Sequence, residues 1–218
     1  MARKTAVFGG SFNPIHTGHL LLADDVLDLV GLDRVLFVPA AVPPHKAPAT
    51  LAPAADRYAM VALAAATHPR FDVSDLELRR TGPSYTVDTL EELRASGDEL
   101  SLVIGSETFL DLLSWREPRR VAALARLIVV PRAGSLFEPE SAEAQKVLRE
   151  IGVDGFARAE RGRIPERGVL IVHATSLPIS ASELRARVRE GRSLAYRMPD
   201  TVAAYIHARG LYTGEPRR

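Results

Sequence analysis

Two kinds of apolar patterning alternate along the chain. Short, mostly apolar runs at residues 5–8, 35–38, 71–74, 100–104, 127–130 and 169–172 are bounded by glycine, proline or charge. Runs of that length with few polar residues read as strands buried on both faces. Between them lie segments with a helical period. One runs from about Gly18 to Val30 and stops at Gly31; a second starts near Asp56, read as its N-cap, and continues through alanines to Thr67, ahead of His68-Pro69. Thr86, read as an N-cap, opens a third that reaches Leu93 and stops at Gly97, and two more occupy residues 181–190 and 199–208. Strands alternating with helices imply an α/β fold built on a doubly wound parallel sheet, with ligands in the crevice beyond the carboxyl ends of the strands.

Residues 133–168 are the least regular and most charged part, mixing Arg158, Arg161, Arg163 and Arg167 with Glu160 and Glu166. They read as an irregular surface excursion within one domain over residues 1–213, and residues 214–218 read as a tail. A nucleic-acid patch is the sharper reading of those arginines, but interleaved acids and missing aromatics favour a solvated face.

Composition narrows the classes. At 218 residues the chain buries one good core, and 28 basic against 27 acidic residues give a net charge of +1. That balance supplies no field for drawing in nucleic acid or membrane, so neither is expected as a partner. The absence of cysteine removes disulfide and thiolate chemistry and fits a reducing cytoplasm. The start of the chain carries no apolar signal region and no run has membrane-spanning length, so a cytoplasmic protein is expected; a homo-oligomer is left open.

The chemistry concentrates in Gly9-Gly10-Ser11-Phe12-Asn13-Pro14-Ile15-His16-Thr17-Gly18-His19, directly after the first strand. The glycines let backbone approach a ligand, and the helix that follows points unpaired N–H groups at the same place, which favours an anion. His16 and His19 can donate to phosphoryl oxygens as charge builds on them. A zinc site is disfavoured, because the metalloprotease pattern sets two histidines four apart around a glutamate and no cysteine is present. Late in the chain, Ile179-Ser180-Ala181-Ser182-Glu183-Leu184-Arg185 opens a helix. Ser180 with Glu183 forms a capping box, and the same geometry presents N–H groups, the Ser180 and Ser182 hydroxyls and, one turn in, Arg185 to a phosphate.

His16-Thr17-Gly18-His19 resembles the HxGH element of the nucleotidylyltransferase superfamily, and residues 179–185 resemble its ISSTxxR element, with Ala181 where serine is usual. Val42-Pro43-Pro44-His45-Lys46, Pro83-Ser84-Tyr85-Thr86, Ile104-Gly105 with Leu113-Ser114-Trp115, and Tyr196-Arg197-Met198-Pro199 with Tyr205-Ile206 are together similar to the bacterial nicotinate mononucleotide adenylyltransferases. The resemblance implies a Rossmann-like fold and the joining of nicotinate mononucleotide and ATP into nicotinic acid adenine dinucleotide and pyrophosphate. It implies Mg²⁺ carried by the ATP phosphates, with no metal ligated by the protein.

It also implies roles. His16 and His19 would be catalytic; Gly9, Gly10, Ser11, Phe12, Gly105, Ser180, Ser182 and Arg185 would bind ATP; His45, Lys46, Thr86, Trp115 and Arg132 would bind the mononucleotide. Physical readings stand beside these. Thr86 is either a plain helix start or a receiver for the nicotinate carboxylate, Trp115 either packs in the core or stacks on the pyridine ring, and Lys46 is either solvated or neutralises phosphate. Ser11, Asn13 and Glu107 depart from the family's pattern; asparagine loses a charge and glutamate moves one by a methylene. The rival readings are another superfamily substrate (nicotinamide mononucleotide, phosphopantetheine or a cytidine nucleotide), a module that senses ATP without chemistry, and a nucleic-acid-binding protein.

Overall fold

The computed structural model describes residues 2–44, 51–131, 134–159, 165 and 167–214. Among them are seven strands: β1 Lys4–Gly10, β2 Arg34–Pro39, β3 Phe71–Val73, β4 Glu99–Gly105, β5 Arg126–Val130, β6 Phe156–Arg158 and β7 Val169–Ile171. They lie in the order β3-β2-β1-β4-β5-β7-β6, with every neighbouring pair parallel. The chain winds outward from β1 to one edge, returns to β4 and winds to the other. The direction reverses between β1 and β4, so the crevice at their carboxyl ends is the place for a ligand.

Successive residues of each strand feed opposite layers, as the two-residue period requires. Ala6, Phe37, Val103, Ile128 and Leu170 pack on one side with residues of α1 Thr17–Val30, α2 Ala54–Ala65, α8 Ala181–Arg189 and α9 Asp200–Ala208, including Leu27, Met60, Leu184 and Ile206. Val7, Leu36, Leu102, Leu127 and Val129 pack on the other. There they meet Leu90 of α4 Thr86–Arg94, Phe109 of α5 Ser106–Leu110, Val121 of α6 Pro118–Leu124 and Leu148 of α7 Ala142–Ile151. The four-residue α3, Leu76–Arg79, follows β3, and a 3-10 turn, Leu112–Ser114, follows α5. Burial on both faces explains why the central strands read as short, mostly apolar runs.

Three expectations are corrected. The α2 helix starts at Ala54 after Pro53, and Asp56 is not its cap. Asp56 is buried in the first turn, where Oδ1 accepts from the Tyr205 hydroxyl at 2.9 Å and from Arg209 Nε at 3.3 Å. Thr86 is the first residue of α4, and Tyr85 takes the cap position. Residues 133–168 are not an irregular surface excursion. They contain α7, capped by Ser141 and ended by Gly152 at φ 76°, and the edge strand β6. Ala144, Val147, Leu148 and Ile151 form a buried stripe, masked in the sequence by Glu143, Lys146, Arg149 and Glu150 on the outer face. Arg158 ends β6 and lines a cavity with Ser135, His173 and Ser176, while Glu160, Arg161, Arg163 and Glu166 lie outside the described residues.

Candidate active site

β1 delivers Gly9 and Gly10 to the crevice. A Cβ on Gly10 would stand 3.1 Å from the Phe12 ring, whereas one on Gly9 would meet nothing within 4 Å. Gly9 lines a cavity, and open space stands where its side chain would be. Phe12 takes the left-handed region at φ 41° and buries its ring edge-on to Phe8, Phe37 and His19, at centroid distances of 5.7, 5.8 and 5.3 Å. Read from sequence as an ATP contact, Phe12 turns its side chain into the core beneath His19.

His16 occupies the N-cap of α1, and its ring stacks on His19 at 3.8 Å with 27° between planes. The His16 N–H donates to His19 Nδ1 at 3.3 Å, while the His19 N–H donates to the His16 carbonyl at 2.9 Å. Since Nδ1 of His19 accepts, this hydrogen-bond network assigns its proton to Nε2, the atom from which it would donate to a ligand. Gly18 permits the stack: a Cβ there would lie 3.2 Å from Nδ1 and Cε1 of His16. The Thr17 N–H donates to the Arg197 carbonyl at 2.8 Å, which docks the loop before α9 on the start of α1.

α8 begins as its sequence requires. Ser180 Oγ accepts from the Glu183 N–H at 3.2 Å and lies 3.1 Å from Ser182 Oγ. Only this half of the expected capping box is seen, because the Glu183 carboxylate lies 3.8 Å from Arg187 Nη1, one turn on. Arg185 Nη1 donates to the Asn13 carbonyl at 2.7 Å and thereby joins the early motif to the late one. Asn13 Oδ1 accepts from the Ala52 N–H at 3.0 Å and from the Tyr212 hydroxyl at 2.9 Å. Loss of the charge at position 13 therefore leaves the acceptor role intact.

Across the carboxyl ends of β2, β1 and β4 lies a cavity of about 500 Å³, lined by Gly9, Gly10, Ser11, Thr86, Trp115 and Arg116 among others. Trp115 is partly buried, resting on the second apolar layer while lining this cavity, so packing and lining are both true of it. The Arg116 guanidinium sits 4.9 Å above the Tyr85 ring, within cation–π range, and 3.7 Å from carboxylate oxygens of Asp88 and Glu117. Ser84 Oγ accepts from the N–H groups of Ala41 and Val42, at 3.1 and 3.2 Å, and so ties two sides of the cavity together. Gly105 caps α5, and a Cβ there would only touch Thr108 Oγ1 at 3.9 Å, so the fold places no tight steric demand on that glycine.

Thus Gly9, Gly10, Ser11, Thr86 and Trp115 line one cavity. His16 and His19 form a stacked pair directly down the chain from it, and Arg185 is bound to the loop that connects the two. His45, Lys46 and Arg132 lie outside the described residues. Sequence reasoning missed Arg116, which follows Trp115 in the cavity wall, and Arg57, which is 1% exposed on α2. Burial lowers the pKa of Arg57, against the opposing influence of Tyr212 and Glu77. Among the described residues, no group of three or more histidines and carboxylates is placed to hold a metal ion, and no helix is long and apolar enough to cross a membrane.

Residues 7–187 match the cytidylyltransferase-like family. Over 211 residues the chain is 43% identical to a "Probable nicotinate-nucleotide adenylyltransferase" of Thermus thermophilus, covering 96% of this chain and 99% of the relative. A Geotalea daltonii protein of the same name is 41% identical over 215 residues, with 96% and 98% covered. Among solved structures, Plasmodium falciparum nicotinic acid mononucleotide adenylyltransferase complexed with NaAD superposes with a TM-score of 0.73 at 17% identity, over 98% of each chain. That superposition carries the Rossmann-like fold, and the full-length sequence matches carry the kinship: the chain belongs to the cytidylyltransferase-like family, among the nicotinate-nucleotide adenylyltransferases.

Proposed function

We propose that the chain transfers the adenylyl group of ATP to nicotinate mononucleotide, giving nicotinic acid adenine dinucleotide and pyrophosphate, a step of NAD biosynthesis carried out in the cytoplasm. The observation that carries this reading is the cavity itself. It combines the first turn of α4 at Thr86, the aromatic Trp115 and the cationic Arg116, and it runs to Gly9–Ser11, from which the chain leads to the stacked histidines. Those groups suit a flat ring bearing a carboxylate at one end and a phosphate at the other.

The mononucleotide phosphate arrives as an anion, so an oxygen of it attacks the α-phosphorus of ATP without a protein nucleophile. A bond forms to that phosphorus while its bond to the β-bridging oxygen breaks, and pyrophosphate leaves with the electron pair. Catalysis then rests on orientation and on charge stabilisation. His19, with Nε2–H as donor, and His16 stacked on it steady the α-phosphate. Ser180, Ser182 and the guanidinium donors of Arg185 not used on Asn13 hold the departing pyrophosphate. Enzymes of this family generally use a divalent metal, and we assign it as Mg²⁺ entering on the triphosphate. Gly105 at the start of α5 lets the adenosine approach, while His45, Lys46 and Arg132 meet the mononucleotide phosphate.

The test is pyrophosphate release from ATP and Mg²⁺, with nicotinate mononucleotide and nicotinamide mononucleotide assayed in parallel. At least a tenfold preference for the acid in kcat/KM is expected, because about 1.4 kcal/mol of differential binding supplies it. Equal use of the two substrates refutes the substrate assignment. ATP binding without pyrophosphate release from either refutes the enzyme.

A further inference from the structure

Arg57 is absent from the cavity wall and 1% exposed, yet its guanidinium touches two of the chain segments that build that wall, the one after β1 and the one after β2. Nε donates to the Ala52 carbonyl at 2.9 Å. Nη1 donates to the carbonyls of Ser11 at 2.8 Å and Ala40 at 2.6 Å, and Nη2 to that of Ala41 at 3.0 Å. Ser11 and Ala40 both line the cavity, one following β1 on the way to the histidines and the other following β2 on the way to Pro43 and Pro44. Ala52 in turn donates its N–H to Asn13, the residue that also holds Arg185.

We infer that Arg57 is a positioning residue for adenylyl transfer, fixing the ATP loop after β1 against the mononucleotide loop after β2 by holding both through their carbonyls. The inference rests on the reaction proposed above and adds a residue that touches neither substrate. Its chemistry is specific to arginine. Four acceptors approach from different directions in a dry site, and a planar fork of five N–H donors meets them, whereas a lysine ammonium offers three donors from one point. Without the fork, carbonyls aimed at one buried point lose their common donor and the two loops lose their shared reference. A misplacement of about 1 Å between reacting groups costs on the order of a hundredfold in rate.

The experiment compares wild type with Arg57→Lys, which keeps stem and charge, and Arg57→Met, which keeps neither donor nor charge. Ile151→Ala on α7 serves as a control that removes buried contacts from a helix that supplies no residue of the cavity wall. Turnover is measured well below each variant's melting temperature, and the Kd of ATP and of nicotinate mononucleotide is measured separately by calorimetry. The expected result is kcat reduced on the order of a hundredfold in Arg57→Lys, each single-ligand Kd within about threefold of wild type, and kcat unaffected in the control. Arg57→Lys turnover within about threefold of wild type overturns the inference. So does failure of both Arg57 variants to fold at the temperature where the control folds, since the residue then serves only the fold. Wild type inactive with nicotinate mononucleotide is a different outcome, and it removes the parent reading instead.

Discussion

Gly18→Ala separates helix stability from catalysis. Position 18 lies in the first turn of α1, where alanine is the better helix former by up to about 1 kcal/mol. The added methyl, however, stands 3.2 Å from Nδ1 and Cε1 of His16. Carbon atoms prefer about 3.5 to 4.0 Å, so the imidazole must withdraw by roughly 0.3 to 0.8 Å. His19 is stacked on it at 3.8 Å and receives the His16 N–H, so the shift passes to the second ring. A productive constellation tolerates about 0.5 Å of displacement, and complete loss of such a donor costs about a hundredfold to a thousandfold. Turnover is therefore expected to fall roughly ten- to a hundredfold. The melting temperature should stay level or rise. Gly31→Ala is the mirror experiment: at φ 67°, with nothing within 4 Å of its Cβ, it costs about 1–2 kcal/mol of stability through backbone strain and leaves turnover alone. Assays of pyrophosphate release and thermal melts on both variants decide. Gly18→Ala with turnover within about threefold of wild type would show that the histidine stack plays no part in the reaction.

Arg185→Ala should weaken ATP far more than the mononucleotide, by the 1.5–3 kcal/mol or so of a charge-assisted hydrogen bond, and should lower the melting temperature modestly because the Asn13 carbonyl loses its donor; calorimetry with each ligand checks it, and equal losses for both place the phosphate clamp elsewhere. At the opposite end of the sheet, burial alone would raise the Asp98 carboxyl, but hydrogen bonds from Thr5 and Arg34, at 2.8 Å each, and the charge of Arg34 override it and hold the pKa below the ordinary value. With an unfolded pKa of about 3.9, that stabilisation is present above roughly pH 4 and lost as pH falls through the folded value. Melting curves of Asp98→Asn should accordingly be lower than wild type at neutral pH and converge on it in acid, and a constant gap at every pH contradicts the sign.

Six of the seven described strands were legible because burial on both faces leaves short, mostly apolar runs, and the two motifs because glycines, histidines and a capped helix each need specific neighbours. The misses share a cause. α7 hid its stripe of Ala144, Val147, Leu148 and Ile151 behind four charged residues, so density of charge outweighed period in the reading. Arg57 sits in an alanine-rich helix where an arginine ordinarily marks the solvent face, and nothing local reveals that the carbonyls of Ser11 and Ala40 converge on it. Phe12, inside the most informative motif, has a left-handed backbone that turns its ring into the core, a direction that nothing in the local sequence reveals. Sequence order shows which residues are adjacent in the chain, not which side of the backbone they face.

Asn13 makes the same point from the other direction. Against the family pattern, asparagine at this position loses a charge. In the fold, its carbonyl holds Arg185 and its Oδ1 receives the Ala52 N–H and the Tyr212 hydroxyl, three bonds that require acceptor oxygen and no negative charge. At 5% exposure, a carboxylate there would add a desolvation cost that the amide avoids. The residue joins the first motif, the second motif, the segment entering α2 and the chain after α9, separated by as many as 199 positions. Departures from a motif are thus best weighed by the hydrogen bonds the position must make, and at position 13 the backbone carbonyl and the amide oxygen make them.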